Sequence, residues 1–414
     1  MMARWKRALA TVSACAMSAG VLASCDTGES SGEGKSVELL VWSDQGDMKT
    51  EDSWLPTVQR EFEKQHPEYD ITWTNEVVAS ANAASNAKQD PTVAADVYAF
   101  PSDQLGTLIE SGALGRTSDE SLKQLKKQSI GNETMVQSVT AADGHVYGMP
   151  FRGNTWFMYY RKSKFASEDI KSLDALLEKG KVAFQMTNAW YLPGFYVGAG
   201  GTVFGPDGID AGAGIDFGGA TGEAVTKYLV NLRDNPNFVN DKNGSGLAGM
   251  KDGKIDVIFS GAWDAEAVAE NTGGDWGAAQ LPSYELDGKQ VQMKSFAGST
   301  AYGWNPYTKY PEVADQFVAF MASSWSQQVN YEKQQVIPAD SSLMSDPAIG
   351  KDPAAVAQMN AISKSSIVQS SIPQMANFWV PCENFGNAIY NREVTLENAS
   401  EKLERWMASY KQLL

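Results

Sequence analysis

The sequence predicts an α/β protein in which sheets are layered with helices. Three observations carry this. Short β-leaning apolar runs alternate with segments of helical periodicity, and the order strand, helix, strand, helix implies parallel crossovers. The chain has 414 residues, 43% hydrophobic and 20% charged, enough for two or three domains with cores of their own. Taken in order, Val37 to Trp42 (VELLVW) reads as a first buried strand, with the turn-like Ser43-Asp44-Gln45-Gly46 at its carboxyl end. In Trp54 to Gln65, the apolar Trp54, Leu55, Val58 and Phe62 share one helical face, and His66-Pro67 ends the helix. Ile71 to Val78 and Ala94 to Phe100 follow as strands, then Asp103 to Gly112 as a helix closed by glycine. A second such region opens near Val182 to Met186. It has helices around Gly222 to Arg233 and Asp264 to Glu270, a strand at Ile255 to Phe259 between them, and a Gly- and Asp-rich loop from Thr202 to Gly222. Glu312 to Ala322, Ala354 to Ser363 and Val394 to Leu413 complete the predicted helices. No repeat of solenoid period is visible.

Residues 1–24 read as a signal peptide. Met1 to Arg7 carries three basic residues and no acid, and Ala8 to Ala23 is an apolar stretch too short to span a membrane. It ends in Leu22-Ala23-Ser24-Cys25, which looks like a bacterial lipobox, where the cysteine is diacylated and becomes the new N-terminus. Val12-Ser13-Ala14-Cys15 fits more loosely and stands too near the basic cluster to leave room for an apolar core. Residues 25–36 then read as a flexible tether, polar and acidic (DTGESSGEGKS after Cys25). The expectation is an extracytoplasmic protein, lipid-anchored to the bacterial cell membrane at Cys25.

Charge and cysteine count exclude several function classes. The formal net charge is −16, from 34 basic and 50 acidic residues; losing Arg4, Lys6 and Arg7 with the signal leaves 31 against 50, or −19. That acidity repels phosphates and anionic head groups, so nucleic acid is excluded as a partner. Once Cys15 departs and Cys25 is lipidated, Cys382 alone remains, which rules out an intramolecular disulfide and a cysteine zinc site. Two histidines, His66 and His145, stand against 12 Trp, 15 Tyr and 16 Phe: much stacking surface and few general bases. No cofactor, no metal and a monomeric state are expected. Asp241, Asn243, Ser245, Gly246 and Asp252 do follow an EF-hand-like spacing, but the last position is Asp and no helix pair flanks it, so a solvated turn is the expectation. GxSxG, GxxxxGK[ST] and HExxH patterns are absent, and Gly198-Ala199-Gly200-Gly201 lacks the spaced glycine of a dinucleotide fingerprint.

Aromatics fall at predicted strand ends or in the loops that follow: Trp42, Phe100, Trp156, Trp190 with Tyr191, Trp263 and Trp379. In open α/β sheets, ligands bind beyond the carboxyl ends of the strands. Most of these rings have polar neighbours. Ser43, Asp44 and Gln45 follow Trp42; Asp103 lies near Phe100; Arg152 and Asn154 precede Trp156; Asn188 precedes Trp190; Asp264 follows Trp263; and Asn377 and Glu383 bracket Trp379. A ring beside hydrogen-bonding groups suits a pyranose, which has an apolar C–H face and a rim of hydroxyls. For a single tryptophan so placed a core position is the stronger reading; the argument rests on six comparable positions, and Trp42, which ends an apolar strand, is assigned to the core.

Across nearly the whole mature chain the pattern resembles the extracytoplasmic sugar-binding proteins of ABC importers, within them the maltose/maltodextrin-binding group. The carrying segments are VELLVWSDQG, FEKQHPEYDITW, ADVYAFPSDQLGTLIESGAL, DGHVYGMPFRGNTWFMYYRKSKF and KIDVIFSGAWD. The most telling is Ile372-Pro373-Gln374-Met375 followed by Phe378-Trp379. The resemblance implies a periplasmic-binding-protein-like fold, two α/β lobes joined by a hinge, with the ligand in the interlobe cleft and a membrane permease as partner. Lobe 1 would hold residues 37–151 and 302–350, lobe 2 residues 152–301 and 351–414, with crossings near Arg152, Phe296 to Tyr302 and Ala348 to Ala354. It also implies that Trp379, Trp263 and Trp190-Tyr191 stack glucosyl rings and that Asp103 binds hydroxyls. This chain departs from the family pattern at Phe100, which replaces a stacking Trp, at Asn154 and Asn188, where Glu is common, and at Gln104, in place of Arg. The Asp-Lys pair expected after the first strand is not reproduced by Ser43-Asp44-Gln45-Gly46. Adding Arg152 and Trp156 from the residue reading, the expected sugar-binding set is Asp44, Gln45, Phe100, Asp103, Arg152, Asn154, Trp156, Asn188, Trp190, Tyr191, Trp263, Asp264, Trp379 and Glu383. Malto-oligosaccharide is the first expected ligand, then other α-glucosides such as isomalto-oligosaccharide, trehalose or a sucrose-like sugar, and third a non-glucose oligosaccharide. A glycoside hydrolase using Asp44, Asp103, Asp264 or Glu383 is the rival class; no acid/base motif surrounds those residues.

Overall fold

A computed structural model describes residues 34–411. Cys25 and the proposed signal peptide lie outside the described residues. The strand β1 (Lys35–Ser43) points Val37, Leu39 and Val41 inward. It is parallel to β2 (Tyr69–Val77) on one side and β3 (Val97–Pro101) on the other. Pairing already includes Lys35 and Ser36, so these two belong to the sheet rather than to the tether expected to run through residue 36. The helix Trp54–Gln65 forms where the spacing predicts, burying Trp54, Leu55, Val58 and Phe62, and ends at His66 before Pro67. The expected helix from Asp103 splits into a turn, Ser102–Gln104, and a short helix, Leu105–Glu110.

From β4 (Met149–Asn154) the chain passes through Thr155 and Trp156 into β5 (Phe157–Tyr160) of a second sheet. That sheet adds β6 (Val182–Phe184), β7 (Phe238–Asn240), β8 (Val257–Ser260) and β9 (Gly277–Ala279) in the spatial order β9-β5-β8-β6-β7. β6, β7 and β8 run parallel, while β5 runs antiparallel to β8 and β9. The chain then returns to the first sheet as β10 (Ser295–Trp304), antiparallel to β3 and β4, and later as β11 (Ser366–Val368), parallel to the start of β10. Both sheets are therefore mixed. The parallel crossovers predicted from element order hold for β1 to β3 and β6 to β8, and the antiparallel strands are those next to passages between the sheets.

Each sheet has its own core. The first gathers Val37, Leu39, Trp54, Phe62, Phe100, Tyr302 and Phe317; the second gathers Trp156, Phe184, Phe195, Phe259 and Trp406. Ser295–Ala297 of β10 pair with β11 and Phe296 packs in the second core, while Gly298–Trp304 pair with β4 and β3 of the first sheet. The helix Pro353–Lys364 straddles the division, packing on β5 and β9 as well as on β4 and β10. After β11 the chain joins the second core for good: the helices Trp379–Tyr390 and Ala399–Lys411 contribute Cys382, Phe385, Ile389, Leu403 and Trp406, with Phe385 and Trp406 stacked at 4.4 Å.

Candidate functional site

The site forms where parallel strands end. β1 hands over to Asp44, β3 to the turn Ser102–Gln104, β6 to residues 185–191, and β8 to the turn Ala262–Asp264. Side chains just past such ends project from the rim of the sheet instead of into its packed faces.

Two cavities lie there. One, of about 680 Å³, is lined by Trp190, Trp379, Asn188 and Glu383 together with Asp241 and Lys242. The other, of about 470 Å³, is lined by Trp263, Arg152, Asn154, Ser80, Gln334 and Gln335 among others. Each falls within the size range of small-molecule sites, roughly 300–1,000 Å³. Trp190, in the first, and Trp263, in the second, stand with ring centroids 6.0 Å apart and planes inclined by 31°, so the cavities meet at this pair. Trp263, 56% exposed, is the most open aromatic lining either cavity.

The polar wall is built around an ion pair. Arg152 Nη2 stands 3.3 Å from Asp44 Oδ2 and donates to Ser80 Oγ, while the Ser80 amide donates to Asp44 Oδ1 at 2.9 Å. Only one guanidinium nitrogen is used in these contacts, and both side chains are about a third exposed. Below them Asp47 accepts from Ser43 Oγ at 2.6 Å and from Gln334 Nε2 at 2.9 Å. Burial nevertheless pushes its carboxyl up from the usual carboxylate range, because desolvation outweighs the two hydrogen bonds. Ser43 in turn shares a hydrogen bond with the Tyr302 hydroxyl at 2.5 Å. Asp103, after Pro101 of the second cavity, touches solvent but is crowded by protein, and that desolvation raises its carboxyl too. Asp264 accepts from Ser260 Oγ at 2.5 Å, and Gln45 is exposed at the head of the turn Gln45–Met48.

Three members of the expected sugar-binding set are core residues. Phe100 is fully buried because β3 lies between β1 and β10 and has both faces covered. Trp156 is fully buried among Phe184, Tyr191 and Phe259. Tyr191 is 3% exposed, its ring 4.8 Å from that of Trp156 and its hydroxyl raised by burial. They support the wall from behind: Trp156 Nε1 donates to the Trp190 carbonyl at 3.2 Å. Asn188 lines the first cavity but is held locally, its Oδ1 accepting from the Trp190 amide at 2.9 Å and its Nδ2 donating to Gln185.

Lining residues outside the expected set include Asp241, Lys242, Gln334 and Gln335. Asp241 and Lys242 follow β7, another parallel strand, and carried the same strand-end signal as Asp44; Gln334 and Gln335 end the helix Ser324–Gln334 and had none. The EF-hand-like spacing is broken by a helix, Ser245–Lys251. Asp241 Oδ1 accepts from the Gly246 amide at 2.8 Å and from Ser245 Oγ at that helix's start, and Asp252 beyond its end pairs with Lys254 at 3.1 Å.

A family model described as bacterial extracellular solute-binding protein matches residues 58–357. Among curated relatives, a galactooligosaccharide-binding protein of Bacillus subtilis (strain 168) is 28% identical over 394 residues, covering 89% of each chain. A maltooligosaccharide ABC transporter solute-binding lipoprotein of Streptococcus pneumoniae serotype 4 is 27% identical over 409 residues, covering 93% of this chain and 92% of that one. Among solved structures, one described as "with acarbose" is 36% identical with a TM-score of 0.77, covering 91% of this chain and 99% of its own. A maltodextrin-binding protein from L. casei BL23, solved without ligand, has a TM-score of 0.81 at 27% identity, covering 90% and 98%.

Proposed function

Because the chain belongs to the bacterial extracellular solute-binding protein family, we propose that it captures an oligosaccharide in the groove between its two sheets and delivers it to the membrane subunits of an ABC importer. Malto-oligosaccharide is the first candidate. The observation that carries this is a pair of neighbouring cavities in which tryptophan rings lie beside charged groups, Trp263 with Arg152 in one and Trp190 and Trp379 with Glu383, Asp241 and Lys242 in the other: apolar faces for stacked pyranose rings beside charge-assisted partners for their hydroxyls. Asp264, Asn154 and Glu383 add acceptors and donors along the same groove. The similarity to a galactooligosaccharide-binding protein favours a second reading, a galactose-containing oligosaccharide in the same groove.

Capture without turnover is the proposed activity. Asp44 is paired with Arg152 and Asp264 accepts from Ser260, arrangements that fix the two carboxylates as hydrogen-bond acceptors. The lobes are assigned as the strands β1 to β4 with β10 and β11 on one side and β5 to β9 with the two C-terminal helices on the other. They would close on the sugar by hinge motion, and the closed form would engage the permease. The molecule would act as a monomer held at the membrane by lipid on Cys25.

Calorimetric titration of the soluble fragment with maltotriose, maltotetraose, isomaltotriose, galactotriose, trehalose and sucrose tests the reading. Tightest binding of the maltose series is expected. Binding of none of these sugars, or glucose release from maltotriose, would overturn it.

A further inference from the structure

Trp190 is held at three points, and the third comes from far along the chain. Its amide donates to Asn188 Oδ1 at 2.9 Å and its carbonyl accepts from Trp156 Nε1 at 3.2 Å; both contacts fix its backbone. Neither sets the torsions of the side chain. The ring nitrogen donates to Gln369 Oε1 at 2.9 Å, across 179 positions of sequence. Gln369 directly follows β11, and its amide donates to the Ala297 carbonyl at 2.8 Å, extending by one residue the pairing of β11 with β10. Its backbone is therefore tied to the start of β10, where Phe296 and Ile367 also pack on the second core before β10 goes on to pair with β4 and β3, while its side chain holds a ring packed against that second core.

We propose that Gln369 is a positioning residue: it sets the plane of the Trp190 ring from the first sheet, so that stacking of a sugar on Trp190 is coupled to the relative placement of the two sheets. The inference rests on the oligosaccharide reading above. An indole has two side-chain torsions, and a ring that stacks a pyranose must present one face in a defined direction. With the ring nitrogen bonded to Gln369, any movement of β11 relative to the second sheet turns the ring or breaks the bond. Ligand that prefers one ring orientation must then prefer one arrangement of the sheets, which is the differential interaction a closure equilibrium requires. Removing the acceptor leaves the ring in place as apolar surface but releases its orientation, since Trp190 Nε1 then turns to water.

The test compares Gln369→Met, which keeps length and loses the acceptor, with Gln369→Glu, which keeps an acceptor. Affinity for maltotriose and maltotetraose is measured by calorimetry, alongside the ligand-free indole ¹H–¹⁵N resonance assigned to Trp190 by its loss in Trp190→Phe. The expected result is binding about fivefold weaker in Gln369→Met, recovery to within about twofold of the parent in Gln369→Glu, an unchanged melting temperature, and a shifted Trp190 indole signal in Gln369→Met alone. Parent-like affinity in Gln369→Met, equal losses in both variants, or an unmoved indole signal would overturn the inference. If the parent binds no sugar, the functional reading fails and coupling to a sugar fails with it, while the indole signal still decides whether Gln369 fixes the ring.

Discussion

The ring of Trp263 lies against Gly261 so closely that a methyl group on Gly261 would stand 2.0 Å from the nearest ring atom. Gly261 thus acts as the seat of the most exposed aromatic in the groove. Trp263 is open to solvent on its other side, so Gly261→Ala can be accommodated by swinging the ring away instead of distorting the backbone. The expected outcome is a folded protein whose melting temperature changes little and whose affinity for maltotriose falls about as far as in Trp263→Ala, on the order of tenfold. Affinity unchanged in Gly261→Ala would mean that the seated ring position is not the one that meets the ligand.

Trp379 offers a cleaner test of the aromatic wall. It is half-buried at the first turn of the helix Trp379–Tyr390, edge-on to Phe296 at 6.2 Å, with part of its surface lining the larger cavity. Trp379→Ala is expected to weaken oligosaccharide binding at least tenfold, about 1.4 kcal/mol, with the cooperative unfolding transition retained. Isothermal titration with a denaturation curve on the same sample separates the two quantities.

The α/β alternation and elements such as β1, β3, β8 and the helix Trp54–Gln65 were legible because their signals are local. Runs such as VELLVW and VIFS mark strands, the first with alternate residues Val37, Leu39 and Val41 buried and the second buried throughout, and the spacing of Trp54, Leu55, Val58 and Phe62 marks one buried helical stripe. The mixed direction of the sheets was not, because β10 pairs with β3 and β4 across some 150 to 200 positions that no local pattern records. In the site, Trp190, Trp263 and Trp379 were legible as aromatics in the segments after strands. Phe100 and Trp156 were misread for an identifiable reason: Phe100 lies inside the continuous apolar run VYAF and Trp156 immediately before FMYY, whereas Trp263 comes three residues after its strand. A ring within or touching a doubly covered strand belongs to the core; a ring beyond the strand end is free to face the cleft. Gln334 and Gln369 carry no such mark, since only tertiary packing brings them to Asp47 and Trp190.

Trp156 should accordingly behave as a stability residue first. With its side chain fully buried, Trp156→Ala leaves a cavity and is expected to destabilise the second core by roughly 3–5 kcal/mol, read from denaturant unfolding. Trp156→Phe keeps most of the packing but loses the bond to the Trp190 carbonyl. Its affinity should drop by a few-fold at most, with stability reduced far less than in the alanine variant.

Asp47 gives a pH signature of known sign. Its carboxyl is raised above the ordinary 3.8 by burial, with Asp44 adding to the rise and Ser43, Gln334 and Arg152 opposing it. A carboxyl raised by folding contributes stability that is fully present below 3.8 and lost as pH climbs through its folded value. Asp143, Asp169, Asp234 and Asp275 are lowered and act in the opposite sense, gaining stability over the same acid range. Those four are common to the parent and to Asp47→Asn, so they cancel in the difference. The melting temperature of Asp47→Asn minus that of the parent should therefore rise as pH climbs above 3.8 and level off once the folded carboxyl is ionised. A difference that is flat or falls with pH would show that the Asp47 charge is not disfavoured in the fold.

Anchoring and sugar capture should separate at Cys25. Two acyl chains on one residue hold a protein at a bilayer far more firmly than a single chain, each buried methylene adding about 0.8 kcal/mol. The proposed lipid-bearing cysteine lies ten positions before Lys35, where the paired structure of the first sheet begins. None of the groove residues comes from that stretch of sequence, so nothing in the binding wall depends on it. Expressed in a bacterial host, the parent should partition with membranes and into the detergent phase on phase separation, while Cys25→Ser should move to the aqueous phase. Maltotriose affinity, measured on both after solubilisation in the same detergent, should agree within about twofold. Membrane retention of Cys25→Ser would assign the anchor to another feature of the N-terminus, with Cys15 the next to substitute.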